Sequence, residues 1–130
     1  MHVTGLDHLV LTVADIDRTV AFYRDVLGVV PEEFHPADGS VRWALKFGAQ
    51  KINLHAADAP FEPKAKVATP GSAELCFLSG QPLDAWQAHF DLHGVDVEDG
   101  PVMRTGATGP IASLYVRDPD GNLIEVSNAV

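Results

Sequence analysis

The chain carries an internal repeat, and a repeat constrains architecture more tightly than any bulk property. Displaced by 66 positions, His8 falls on Glu74 and Gly28-Val29 falls on Gly94-Val95. Displaced by 72, Lys51-Ile52-Asn53-Leu54 falls on Leu123-Ile124-Glu125-Val126, so the second copy is six residues longer inside. In the first copy, Asp7 to Val13 alternates, with Leu9, Leu11 and Val13 on one face of a predicted strand. Asp15 can cap a helix whose apolar stripe is Ile16, Val20, Tyr23 and Leu27, and Gly28 supplies the stop. Extended runs follow near 29–35, 41–48 and 51–56, separated by the turn signals Asp38-Gly39 and Gly48-Ala49. The second copy offers Glu74-Leu75-Cys76-Phe77-Leu78 as its first strand, then Leu83, Trp86 and Phe90 as a helical stripe behind Pro82. The reading is therefore α+β: two βαβββ modules forming curved mixed sheets with helices outside. Module one spans about 1–56, a Pro-rich connection about 57–71, and module two about 72–130, together one domain over 1–130.

Size and charge narrow the function classes. At 130 residues the chain suits one compact core. A net charge of −9 with nine Lys and Arg repels phosphate backbones and anionic headgroups, so neither nucleic acid nor membrane is an expected partner. No apolar run approaches the roughly 20 residues of a membrane span, and Met1-His2-Val3-Thr4-Gly5 lacks a signal pattern, which makes the cytoplasm the expected location. The lone cysteine, Cys76, sits among apolar neighbours and reads as a buried thiol.

Equivalent positions of a duplicated sheet are the places where polar side chains can be paired around a shared cavity. Four stand out: His8 with Glu74 at the strand starts, and Asn53 with Glu125 on the closing strands. Alternation turns Asn53 and Glu125, and likewise His8, Glu74 and Cys76, away from the apolar neighbours that pack against the helices. Two carboxylates, an imidazole and an amide are costly to bring together without a compensating charge. A divalent cation supplies it, and such donors suit zinc, iron, manganese, nickel or magnesium. His55, two residues beyond Asn53 and on the same strand face, competes with it for one corner. His2, His35, His89 and His93 have no such pairing and read as surface or helix-packing residues. Arg104 precedes a Gly-rich segment and is a candidate substrate-binding residue together with His55, with a surface ion pair as its alternative. Phe61-Glu62-Pro63-Lys64 in the connection is a candidate cover for the cavity or a plain linker, and Asp118-Pro119-Asp120-Gly121 reads as a type I turn.

Leu6-Asp7-His8-Leu9-Val10, Phe22-Tyr23 to Leu27-Gly28, and Asp118-Pro119-Asp120-Gly121-Asn122-Leu123-Ile124-Glu125-Val126 resemble the glyoxalase/bleomycin-resistance/dioxygenase (vicinal oxygen chelate) superfamily along essentially the whole chain. Lys51-Ile52-Asn53-Leu54-His55, Phe61-Glu62-Pro63-Lys64-Ala65 and Gly100-Pro101-Val102 with Arg104-Thr105-Gly106 look like the subgroup named for glyoxalase domain-containing protein 5. The resemblance implies metal ligands at His8, Glu74 and Glu125, with Asn53 or His55 nearby. The chain departs from the common pattern at Glu74, where many members carry histidine, and at Asn53, where glyoxalase I carries glutamate. The resulting expectation is a metal-dependent lyase or isomerase acting on a small oxygenated substrate, with Glu125 and Glu74 as catalytic carboxylates. Its rivals are an extradiol-type dioxygenase and a metal-free drug- or metabolite-binding protein, and the resemblance implies a homodimer.

Overall fold

The first alternating run forms strand β1 (His8–Val13) in a computed structural model of the chain, which describes residues 1–130. It leads to helix α1 (Ile16–Asp25) and strands β2 (Val30–Phe34), β3 (Arg42–Phe47) and β4 (Gln50–Ala56). The second half has strand β5 (Glu74–Leu78), helix α2 (Leu83–Leu92), and strands β6 (Asp99–Thr105), β7 (Pro110–Arg117) and β8 (Leu123–Ala129). The chain divides into two compact units, Met1–Pro70 and Gly71–Val130. Each holds one four-stranded mixed sheet, ordered β1-β4-β3-β2 in the first and β5-β8-β7-β6 in the second. The α+β class and the two βαβββ modules are thus as the pattern predicts.

The registers reproduce the repeat. β1 runs parallel to β4 with His8 opposite Lys51, and β5 runs parallel to β8 with Glu74 opposite Leu123. The offsets of 66 and 72 therefore superpose one strand pairing on the other, and Val10 opposite Asn53 is matched by Cys76 opposite Glu125.

Each helix is set by local chemistry. Asp15 stands at the N-cap of α1, its side chain accepting from the Arg18 N–H at 3.0 Å, so one otherwise orphaned donor of the first turn is satisfied. The chain leaves α1 through Gly28 at φ +68°, and the Val29 N–H bonds back to the Tyr23 carbonyl at 2.9 Å. Helix α2 leaves through Gly94 at φ +67°, with the Val95 N–H on the Phe90 carbonyl at 2.8 Å. Its start differs: Pro82 is the N-cap and offers no side-chain acceptor.

The core of each unit lies between the helix and one sheet face. In the first, Val20 and Tyr23 of α1 are buried with Leu11, Val13, Leu45, Ile52 and Leu54. In the second, Trp86 and Phe90 of α2 are buried with Leu114, Val116, Ile124 and Val126. Burying each such side chain stabilises the fold by roughly 1.5–3 kcal/mol. Because alternate residues point to opposite faces, this packing turns His8, Asn53 and His55 to the other face of the first sheet, and Glu74, Cys76 and Glu125 to the other face of the second.

The Asp118 turn does more than reverse the chain. The Asp118 side chain accepts from the backbone N–H groups of Asp120 and Asn122 at 2.9 and 3.0 Å, and from the Asn122 amide at 2.8 Å. Asn122, fully buried, in turn accepts from the Ala73 N–H at 2.9 Å. The turn thereby ties the start of β8 to the chain entering β5, where Glu74 begins. No helix of the chain is long and apolar enough to cross a membrane.

Candidate functional site

The face of the first sheet turned away from α1 carries His8, Asn53 and His55. His8 is held by its neighbour, with Nδ1 at 2.8 Å from an Asp7 carboxylate oxygen. The hydrogen bond and the imidazole charge hold Asp7 below the usual carboxylate range. Nδ1 being engaged, Nε2 is the nitrogen left to act outward, the arrangement common for a metal-ligating or proton-handling histidine. Asn53 Oδ1 is buried and accepts no hydrogen bond. His55 stands beside Phe61, ring centroids 5.7 Å apart. Partial burial, aided by the charge of Arg42, pushes the His55 imidazole below its ordinary pKa and favours the neutral ring, the form that ligates metals.

Two residues of this face escaped the sequence reading or were only half seen. Arg42, at the start of β3, falls opposite His55 when the Trp43–Leu54 register is carried one step outward. Its guanidinium lies 3.9 Å from the centre of the Phe61 ring. Phe61 belongs to the connecting segment, so that segment folds onto the sheet face of its own unit and is not a plain linker there.

The equivalent face of the second sheet is built around Glu125. Its Oε2 accepts from Ser113 Oγ at 2.5 Å and from Ser127 Oγ at 3.4 Å, and the two hydroxyls are 2.7 Å apart. Ser113 and Ser127 are fully buried, so they fix the carboxylate from inside the sheet. Cys76 Sγ approaches Ser127 Oγ at 3.3 Å. The expectation of a buried thiol is corrected here: Cys76 is exposed, because alternation places it on the polar face between Glu74 and Leu78 and not against α2. Its partial burial and the nearby Glu125 charge nevertheless push the thiol pKa up, against the opposing effect of Ser127. Tyr115, opposite Glu125 on β7, is also raised, first by burial and then by Glu125, with Arg104 pulling the other way.

Arg104 joins this face through Tyr115. Its Nε donates to the phenol oxygen at 3.1 Å and its guanidinium carbon lies 5.5 Å from the ring centre. Asp99 lies 3.8 Å away, a loose surface ion pair. Glu74 opens β5 and is exposed.

Within the second unit, then, Glu74 and Glu125 share one face of neighbouring strands, and Arg104 reaches that face by way of Tyr115. Within the first, His8, Asn53 and His55 share another. No three or more His, Cys, Asp or Glu side chains of the chain come together into a group that could hold a metal ion. Ser113, Ser127 and Tyr115 were not foreseen; each sits at an alternate position of its strand, on the same face as Glu125, and that alternation was the available signal.

Comparison with known proteins agrees with this architecture. A virulence protein of Salmonella typhimurium is 52% identical over 130 residues, covering 100% of this chain and 88% of that protein. Its crystal structure superposes with a TM-score of 0.90, with 51% identity and 100% of both chains covered. A glyoxalase domain-containing protein of Mycosarcoma maydis is 52% identical over 128 residues, 98% of this chain and 70% of that protein. A protein from the mobile metagenome of V. pseudocholerae gives a TM-score of 0.93 at 52% identity, covering 100% of this chain and 98% of that one. At greater distance, a lactoylglutathione lyase of Agrobacterium tumefaciens is 27% identical with a TM-score of 0.69, covering 98% and 95% of the two chains. The model of the Glyoxalase/Bleomycin resistance protein/Dioxygenase superfamily matches residues 5–126, and the chain belongs to that superfamily.

Proposed function

We propose that this chain is a metal-dependent enzyme of glyoxalase type, a lyase or isomerase acting on a small oxygenated substrate. In this reading His8, Glu74 and Glu125 hold a divalent cation, with Asn53 or His55 as the further donor. The observation that carries it is the matched register: His8 and Glu74 open equivalent strands, and Asn53 and Glu125 lie two residues beyond their partners on equivalent closing strands. The donor set fits a zinc, nickel, manganese, iron or magnesium ion. Asn53 Oδ1 is buried with no donor, which a cation or a ligand would relieve. His8 is oriented through Nδ1 by a carboxylate, as metal-ligating imidazoles are. The reading includes a homodimer.

A divalent cation supplies Lewis acidity toward adjacent substrate oxygens when bound. Glu125, its Oε2 positioned by Ser113 and Ser127, is the proposed group that takes a proton from a substrate carbon, and Glu74 is its alternative. Arg104, braced on Tyr115, and His55 are the proposed substrate-binding residues. The reading places the chain with the glyoxalase domain-containing protein 5 subgroup and includes a cytoplasmic location.

Protein purified without added metal is expected to contain stoichiometric divalent metal by elemental analysis, and chelator is expected to abolish turnover. The half-buried Arg42 and Phe61 favour a second reading, sequestration of a small molecule without turnover. Ligand binding indifferent to chelator, in protein devoid of metal, would establish that reading and overturn the first. Oxygen uptake with a catechol after anaerobic iron loading would point instead to an extradiol-type dioxygenase.

A further inference from the structure

The protein as a whole is strongly acidic, at −9, yet the first sheet turns Arg42, Lys46 and Lys51 to the face that carries Asn53 and His55. Against these three cations the same face offers one carboxylate, Glu32, and it is taken up by Lys46 at 3.4 Å. The Lys51 ammonium lies 4.8 Å from the centre of the Phe34 ring and makes no direct ion pair, its charge acting on Asp7 at longer range. Arg42 likewise makes no ion pair, though its charge acts on Asp38 at longer range; its guanidinium carbon lies over the Phe61 ring, 3.9 Å from the ring centre.

The two buried side-chain polar atoms of the protein that lack a hydrogen-bond partner are Arg42 Nε and Asn53 Oδ1, and both belong to this face. An unmade hydrogen bond to a charged donor is costly, and natural folds retain such a group where something else supplies the partner. A guanidinium is a planar fork matched to two oxygens of a carboxylate or phosphate.

We infer that Arg42 and Phe61 form an oxyanion-binding subsite on the first module, which takes the carboxylate or phosphate group of the small-molecule ligand. This inference rests on the reading of the chain as a protein that acts on a small oxygenated molecule, and it makes that molecule an anion. Arg42 pairs with the oxyanion, Phe61 backs the guanidinium, and Lys51 adds a second positive charge on the same face. A strongly acidic chain otherwise repels such ligands, so the local reversal of charge selects where they dock.

The test uses the full chain, isotopically labelled with nitrogen-15 and stripped of metal by chelator, titrated in separate arms with pyruvate and with inorganic phosphate. The Arg42 Nε–H resonance and the Asn53 side-chain amide are followed. Saturable shifts of both are expected; a response to pyruvate alone assigns the subsite to carboxylates, a response to phosphate alone assigns it to phosphate esters, and a response to both assigns it to either. Arg42→Met is expected to abolish the Asn53 response. Arg42→Lys keeps the charge without the fork, and is expected to bind roughly tenfold more weakly, which keeps the test valid if the methionine variant does not fold. Absence of any shift in both arms, or an Asn53 response unchanged in both variants, overturns the inference. Because the protein is metal-free throughout, an intact anion response beside an inability to retain metal would sink the metal reading alone.

Discussion

Arg42 facing His55 in the first module and Ser113 facing Ser127 in the second occupy the same place in the duplicated plan. The backbone registers superpose, yet the chemistry is opposite. In the second module two buried hydroxyls satisfy each other and steady the Glu125 carboxylate, so the polar group the face presents is already oriented. In the first, a guanidinium and an amide oxygen sit half-enclosed with hydrogen-bonding capacity unused. One face is a finished network built around an anion, and the other is an unfinished one built around a cation. The frame is shared, and the two cross-strand pairs differ in what they carry: Ala44–Asn53 and Arg42–His55 in the first module, Tyr115–Glu125 and Ser113–Ser127 in the second.

The largest difference between the modules is expected in stability. Asn122 and Gln50 are equivalent by the 72-residue offset, but Asn122 is fully buried and bonded to Asp118 and Ala73, whereas Gln50 is exposed and reaches the Leu6 carbonyl at a long 3.4 Å. Asn122→Ala removes the acceptor of the part-buried Ala73 N–H and the amide donor to Asp118, and should lower the unfolding free energy by about 1–3 kcal/mol. Gln50→Ala should stay within about 0.5 kcal/mol. Urea denaturation reads both. Equal losses would mean that the turn is not what ties β8 to β5.

A smaller effect sharpens the comparison of the two corners. Ser113→Ala removes the shorter donor to Glu125 and should weaken metal binding roughly 10- to 100-fold, the usual range for a group that orients a ligand. Arg42→Met, at the equivalent place, should change metal affinity far less than Ser113→Ala does, while losing the anion response. Competition against a metal-binding dye measures both. Matched losses would erase the functional distinction between the corners, and no loss in Ser113→Ala would separate Glu125 from the metal.

Much of this was legible beforehand because it depends on local signals. Asp15, Gly28 and Gly94 mark helix ends by their own chemistry, and the offsets of 66 and 72 matched the equivalent strands of the two modules. Alternation placed Asn53, His55, Glu74 and Glu125 on the faces they occupy. What stayed hidden depends on partners distant in sequence. Asn122 looked like the tail of a turn until Ala73, 49 positions away, was seen to bond it. Arg42 became meaningful once the β3–β4 register set it against His55 and the connecting segment laid Phe61 over it. Cys76 was read from its apolar neighbours as buried, while strand alternation sent it to the polar face.

The central proposal is that His8 and Glu125 are metal ligands. X-ray absorption of the protein carrying one equivalent of zinc tests it most directly, with His8→Ala and Glu125→Gln measured beside the unaltered chain. The account predicts a mixed shell of oxygen and imidazole nitrogen, a loss of imidazole scattering in His8→Ala, and loss of stoichiometric zinc in Glu125→Gln. Zinc bound with the same shell and stoichiometry in either variant would contradict it.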